Sequence, residues 1–217
     1  MNFFGHAFIA VQRGGNAAFV LGSMLPDLAT MLGTAQPASS HPELDAGIRF
    51  HHDTDAAFHG AATFVALNRL ALSELRASGV RKGTARAVAH VGIELLLDLV
   101  LSDSPRATAG YRCALEAAAE LNRWLSWPEQ ATAARFASLC AELARRPPAA
   151  ADAPASAVTR RLHQALAWRP RLCILKQDAN AVQSWVDAWY PQVAQARPQL
   201  LSEINARLLR RSGHLAE

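Results

Sequence analysis

Apolar positions in this chain recur three and four residues apart over long stretches, and no alternating apolar-polar run of useful length interrupts them. That is the period of an α-helix, so an all-α chain is expected. Asn2 to Gln12 reads as a short apolar helix, broken by Gly14-Gly15-Asn16. Ala17 to Met24 reads as a second helix that runs into Leu25-Pro26-Asp27; proline inside the pattern places Asp27 at a turn or helix start. Gly33 to Pro42 reads as a loop with His41 at the surface, and Glu43 opens the next helix. Phe64, Leu67, Leu70, Leu72 and Leu75 supply the apolar face of a helix over 61–78. Thr84 to Ser102 is apolar almost all round, which predicts a buried helix. Amphipathic helices are expected at 107–124 and 129–145, then an exposed low-complexity loop at 146–157. Further helices are expected at 157–168 and 179–190, and from Pro198 to about Arg211. Trp185 and Trp189, one turn apart, are expected in the core, and Arg207, Arg210 and Arg211 at a solvated end.

Composition narrows the class. A chain of 217 residues with 51% hydrophobic and 18% charged residues has material for a sizeable core. A single-domain multi-helix bundle is expected, with helices of residues 1–105 carrying the chemistry and residues 106–217 supporting them. The net charge of +4, nearly all from arginine, fits an acidic protein partner or a phosphate-bearing substrate and is too weak to argue for nucleic acid. Cys113, Cys140 and Cys173 are far apart and odd in number, so neither a disulfide framework nor a cysteine zinc site is expected. The N-terminal apolar run has no basic residue before it and contains His6, which does not suit a secretory signal. No membrane span is expected, and the compartment is expected to be the reducing cytoplasm.

Chemistry concentrates in two stripes. Gly47-Ile-Arg-Phe-His-His-Asp-Thr-Asp-Ala-Ala-Phe-His59 holds three histidines and two aspartates, and on a helix His51, Asp55 and His59 fall near one face. The ends of that stripe lie roughly 12 Å apart, so neighbours can share an ion but all three cannot. Taken alone, the stripe reads more readily as a solvated face than as a site. His90, Glu94 and Asp98 repeat the spacing on the apolar helix, where ionisable groups are unfavourable unless paired or metal-bound. A buried ion-pair network is the bland alternative there. Two such stripes resemble helical carboxylate-histidine metal sites, built from side chains projecting inward from facing helices. His6 and Asp27, each taken singly, read as a satisfied core histidine and an N-cap. The His52-Asp53 doublet ranks below His51 and Asp55, because its side chains lie about 100° apart on a helix.

Three motifs carry a resemblance: Met1-Asn-Phe-Phe-Gly-His6, Leu21-Gly-Ser-Met-Leu-Pro-Asp27, and Gly47-Ile-Arg-Phe-His51 followed by Asp55. In order and spacing they resemble the acyl carrier protein phosphodiesterase family, all-helical distant relatives of the HD-domain phosphohydrolases. The match covers roughly the first hundred residues. The resemblance implies an HD-domain-like fold, with His6, Asp27, His51 and Asp55 at or beside a metal site. It also implies hydrolysis of the phosphodiester that joins phosphopantetheine to acyl carrier protein, using manganese or a similar ion. His52 stands where the family has arginine, Phe58 and His59 where it has Thr-Asp, and Leu99 where it has a later histidine; His90 is an addition. Histidine in place of a carboxylate shifts the preferred metal towards zinc or iron.

Phosphodiester hydrolysis needs a divalent ion to neutralise the phosphate and to acidify water. The expected ligands of one or two ions are His6, Asp27, His51, Asp55, His90 and Glu94. Asp98 and His59 are expected to orient ligands or move protons, and Arg49 to hold phosphate. Two rivals remain: another phosphoesterase such as a zinc-type phospholipase C, and a non-catalytic helical binding module with a vestigial site.

Overall fold

A computed structural model describes residues 1–146 and 154–213. Among the described residues the chain is all-α apart from one two-stranded ribbon. In order, the elements are α1 (Phe3–Gln12), α2 (Ala17–Met31), β1 (Ala38–Ser39), α3 (Pro42–His59), α4 (Ala62–Ala77), α5 (Lys82–Leu101), α6 (Pro105–Glu116), α7 (Ala118–Leu121), a 3₁₀ turn (Asn122–Trp124), β2 (Leu125–Ser126), α8 (Gln130–Arg145), α9 (Pro154–Leu166) and α10 (Lys176–Gly213). No helix among the described residues is long and apolar enough to cross a membrane. Cys113, Cys140 and Cys173 are free thiols.

The contacts divide the chain into two compact units. One draws on Met1–Ala56 and Leu101–Pro148, the other on Ala57–Val100 and Ala149–Glu217. In the first, α1 packs on α2, α6 packs on both, and α8 packs on α6. Its core includes Phe4, Ile9, Leu21, Met24, Leu44 and Phe136, all essentially without solvent contact. Asn16 caps α2, its side chain accepting from Phe19 N at 2.9 Å. Gly14, at φ +79°, makes the turn before it. In the second unit, α10 packs on α4 and α9. Trp185 and Trp189 stack with centroids 5.1 Å apart, and Trp189 Nε1 donates to Glu74 at 2.6 Å. Gly92 of α5 leaves room for the Trp185 ring, whose nearest atom would stand 2.6 Å from an added Cβ.

Several helix boundaries differ from those the sequence predicts, and at the prolines the reason is packing. Pro26 sits inside α2, so Asp27 is a mid-helix residue and not a cap. Leu21, Met24, Leu25 and Leu28 are fully buried around it, and that burial outweighs the roughly 3 kcal/mol a mid-helix proline costs. α10 is one helix through Pro191 and Pro198, where two were expected. Its buried stripe runs on from Val182 through Val186, Trp189, Val193, Leu200 and Ile204, while both prolines lie on the exposed side. The long helix expected at 107–124 ends at Glu116 and continues as a short helix and a 3₁₀ turn, which lead into β2. β2 pairs antiparallel with β1, so the expected loop at 33–42 contains a short strand. His41 there is half-buried, with its ring edge-on to Trp124 at 5.9 Å. On α4, Leu70 faces solvent, and Ala71 takes a buried place beside Phe64 and Leu75. Of the loop expected at 146–157, residues 147–153 lie outside the described residues, and α9 already begins at Pro154.

The close approach of α2 and α3 sets where Ser23, Asp27 and His51 stand relative to one another. An added Cβ on Gly22 would stand 2.3 Å from Leu44 O, and one on Gly47 2.3 Å from Phe19 O and 2.8 Å from the Gly22 Cα. Glycine to alanine inside a helix normally gains up to about 1 kcal/mol. Here the sign reverses: Gly47→Ala is expected to lower unfolding stability by about 1–3 kcal/mol in urea denaturation, because backbone and not flexible side chain must yield.

Candidate metal centres

The nine candidate site residues do not form one set. Among the described residues, two groups present converging ligand atoms: His6, Asp27 and His51, all in the first unit, and His59, His90 and Glu94, all in the second.

In the first group, one ligand atom from each residue lies within 4.8 Å of the others. α1 supplies His6, α2 supplies Asp27 and α3 supplies His51. The His6 and His51 rings stack at 3.9 Å. Their second nitrogens fix their tautomers. His51 Nδ1 lies 2.9 Å from Ser23 O, and a carbonyl only accepts, so Nδ1 carries the proton. His6 Nδ1 lies 2.7 Å from Thr54 Oγ1. The single Thr54 hydroxyl proton goes to the carbonyl of Phe50 or His51, each 2.9 Å away, so Nδ1–H of His6 donates to the hydroxyl oxygen. Both rings therefore offer an Nε2 lone pair. That of His6 is buried with no hydrogen-bond partner among the described residues. Burial lowers the pKa of both histidines, His6 well below its ordinary value and His51 to about 4, so both are neutral at pH 7. Two neutral imidazoles whose far nitrogens are anchored, plus a carboxylate, are a donor set suited to a borderline divalent ion. Asp55 stands beside them, 3.9 Å from His6 Nε2, half-exposed and accepting from the Met1 amino group at 2.8 Å.

The second group is tighter. His59 Nε2 lies 3.1 Å from His90 Nε2 and 3.3 Å from Glu94 Oε1, and His90 Nε2 lies 3.2 Å from the same oxygen. The two rings are nearly parallel, 9° apart, and Phe64 packs edge-on against both. Burial alone would raise the pKa of Glu94, but hydrogen bonds from His59 and His90 hold it well below the carboxylate range.

The remaining expected residues lie elsewhere. Asp98 is fully buried on α5 with Arg161 of α9 at 3.4 Å, the ion-pair arrangement that was the bland alternative for this stripe. Arg49 pairs with Asp45 one turn away on an exposed face. His52 is exposed, edge-on to His51. Sequence reasoning did not single out Thr54 or Ser23. Thr54 carried a weak signal, a hydroxyl beside the ligand stretch in a helix interior; Ser23 acts through its backbone carbonyl and carried none. No family model, curated protein or solved structure matches the chain.

Both depressed histidine values have a consequence for stability. A histidine whose folded pKa lies below its unfolded 6.5 binds its proton more readily when unfolded, so stability is intact above 6.5 and falls as pH drops towards the folded value. For His51 the loss between pH 6.5 and about 4 is on the order of 3 kcal/mol. Chelator-treated protein is expected to lose urea stability steeply from pH 7 to pH 4.5, and His51→Gln to flatten that slope. An unchanged slope in the variant would mean that His51 titrates normally.

Proposed function

We propose that the protein is a metal-dependent phosphodiester hydrolase whose ion is held by His6, Asp27 and His51, with Asp55 at the edge of the site. The observation that carries this reading is the pair of anchored imidazoles, His6 through Thr54 and His51 through Ser23 O, whose Nε2 atoms are kept neutral beside a carboxylate. These residues, with Asp55, are the ones that the resemblance to the acyl carrier protein phosphodiesterases marks. Manganese, zinc or iron suits two imidazoles and one or two carboxylates. When bound, such an ion withdraws charge from a phosphate and makes water a stronger acid.

The chain's own residues do the rest. Thr54 and Ser23 O fix the ring planes, so the two Nε2 lone pairs need no reorganisation on binding. Burial of His6 and His51 keeps protons off them at neutral pH. Asp55, half-exposed, meets both the site and solvent, and it takes the proton of the attacking water. The water oxygen bonds to phosphorus, the bond to the leaving alkoxide breaks, and the alkoxide takes up a proton from solvent. The modest positive charge of the chain suits an anionic substrate, and holo acyl carrier protein is the first to test.

Stripped protein is expected to be inactive on a panel of phosphodiesters that includes holo acyl carrier protein, and to recover with manganese or zinc. His51→Ala and Asp27→Asn are expected to lower kcat/KM at least about 100-fold, and Thr54→Val by about 10–100-fold through the orientation of His6. Full activity after metal removal, or in His51→Ala, would refute the proposal. Hydrolysis of lipid phosphodiesters but not of the carrier protein would favour the phospholipase alternative.

A further inference from the structure

The His59-His90-Glu94 group plays no part in the proposed hydrolysis, and its geometry has its own implication. In tetrahedral zinc sites the metal lies about 2.0–2.1 Å from each nitrogen or oxygen, which puts neighbouring ligand atoms about 3.3 Å apart. The three edges of this triangle measure 3.1, 3.2 and 3.3 Å. We infer that His59, His90 and Glu94 form a separate binding site for a zinc-class divalent ion, with a fourth coordination position facing solvent.

Hydrogen bonds within the triangle do not satisfy all three of its edges. Two Nε2 atoms 3.1 Å apart accommodate one proton between them. If one ring is protonated there, the other turns a lone pair towards the same carboxylate oxygen; if both are, two N–H groups crowd against each other. Each arrangement leaves one repulsive edge. A cation in the centre makes all three contacts favourable. The scaffold holds the donors in place from three sides. His90 and Glu94 stand four residues apart on α5, one above the other on the same face. His59 is the last residue of α3, and Phe64 of α4 walls both rings with centroids 5.3 and 5.4 Å away. The two rings stand nearly parallel, 9° apart, with their Nε2 atoms 3.1 Å from each other.

Access distinguishes this group from the first. His90 is 40% and His59 32% exposed, while Glu94 is 13% exposed, so an ion enters from solvent without opening the fold. Two imidazoles and one carboxylate select zinc, cobalt or iron(II) over magnesium or calcium, which prefer oxygen. A site with three protein ligands and one free position also leaves room for water or an anionic ligand atom, unlike the closed four-ligand sites of structural zinc. The inference stands apart from the hydrolase proposal, since it uses none of the same residues.

Cobalt(II) and zinc titration of the stripped full-length protein tests it, read by the visible absorption of tetrahedral cobalt and by competition with a chromophoric chelator. Wild type is expected to take up an ion with tetrahedral cobalt absorption, and His51→Ala to retain it. Glu94→Gln, which keeps side-chain shape, and His90→Ala are each expected to weaken that uptake at least about 100-fold, beyond the 10–100-fold that outer partners of a ligand give. Circular dichroism and urea unfolding of Glu94→Gln confirm that the fold is kept. Unchanged zinc affinity and cobalt absorption in Glu94→Gln and His90→Ala would overturn the inference. So would a single ion lost in His51→Ala and kept in Glu94→Gln.

Discussion

The crossing of α2 and α3 on two glycines is the constraint on which the first candidate centre depends. Gly22 and Gly47 lie so close that neither tolerates a Cβ without moving backbone. That approach brings the carbonyl of Ser23, one residue after Gly22, within hydrogen-bonding distance of His51, one turn after Gly47. A carbonyl at that position decides which imidazole nitrogen carries the proton, and therefore which one keeps its lone pair. Asp27, one turn beyond Ser23 on the same helix, arrives with it. Packing, tautomer and ligand set are thus consequences of one backbone contact.

The two histidine-carboxylate groups rest on different physics. In the first, His6 and His51 are almost without solvent contact, and what keeps them neutral is burial. Their outer nitrogens are fully committed, to a hydroxyl and a carbonyl. In the second, three partly exposed donors lie within 3.3 Å of one another. The first is organised from behind, by its supporting partners; the second is organised from in front, by mutual approach. Buried neutral imidazoles with oriented lone pairs suit an ion whose surroundings must stay fixed during a reaction. Solvent-facing donors suit an ion that exchanges or takes an outside ligand.

Proline shows how far local rules reach. Pro26, Pro191 and Pro198 each read as a helix boundary, and each sits inside a helix. At Pro26 the surrounding leucines and Met24 are fully buried, and at Pro191 and Pro198 the apolar stripe continues past a ring that faces outward. A missing backbone hydrogen bond is a loss of a few kcal/mol, and a continuous buried face exceeds it. Leu70 errs in the other direction. Its spacing fits the apolar face of α4, yet it is exposed, because periodicity fixes a face but not how much of it a neighbour covers.

The all-α class, most helix spans and the places where histidines and carboxylates concentrate are legible in the order of residues, because helical period and side-chain spacing act over a turn or two. His51 with Asp55, and His90 with Glu94, are visible as i, i+4 pairs. Which pair joins which histidine is not. His6 meets Thr54 across 48 positions and His59 meets His90 across 31, and no local pattern encodes contacts of that separation. The stripe of His51, Asp55 and His59 accordingly divides between two groups, and Asp98 leaves its own stripe for Arg161. Residue type and spacing determined the donors; the tertiary packing of the helices that carry them decided their company, because only packing brings distant lone pairs and carboxylates within ångströms of each other.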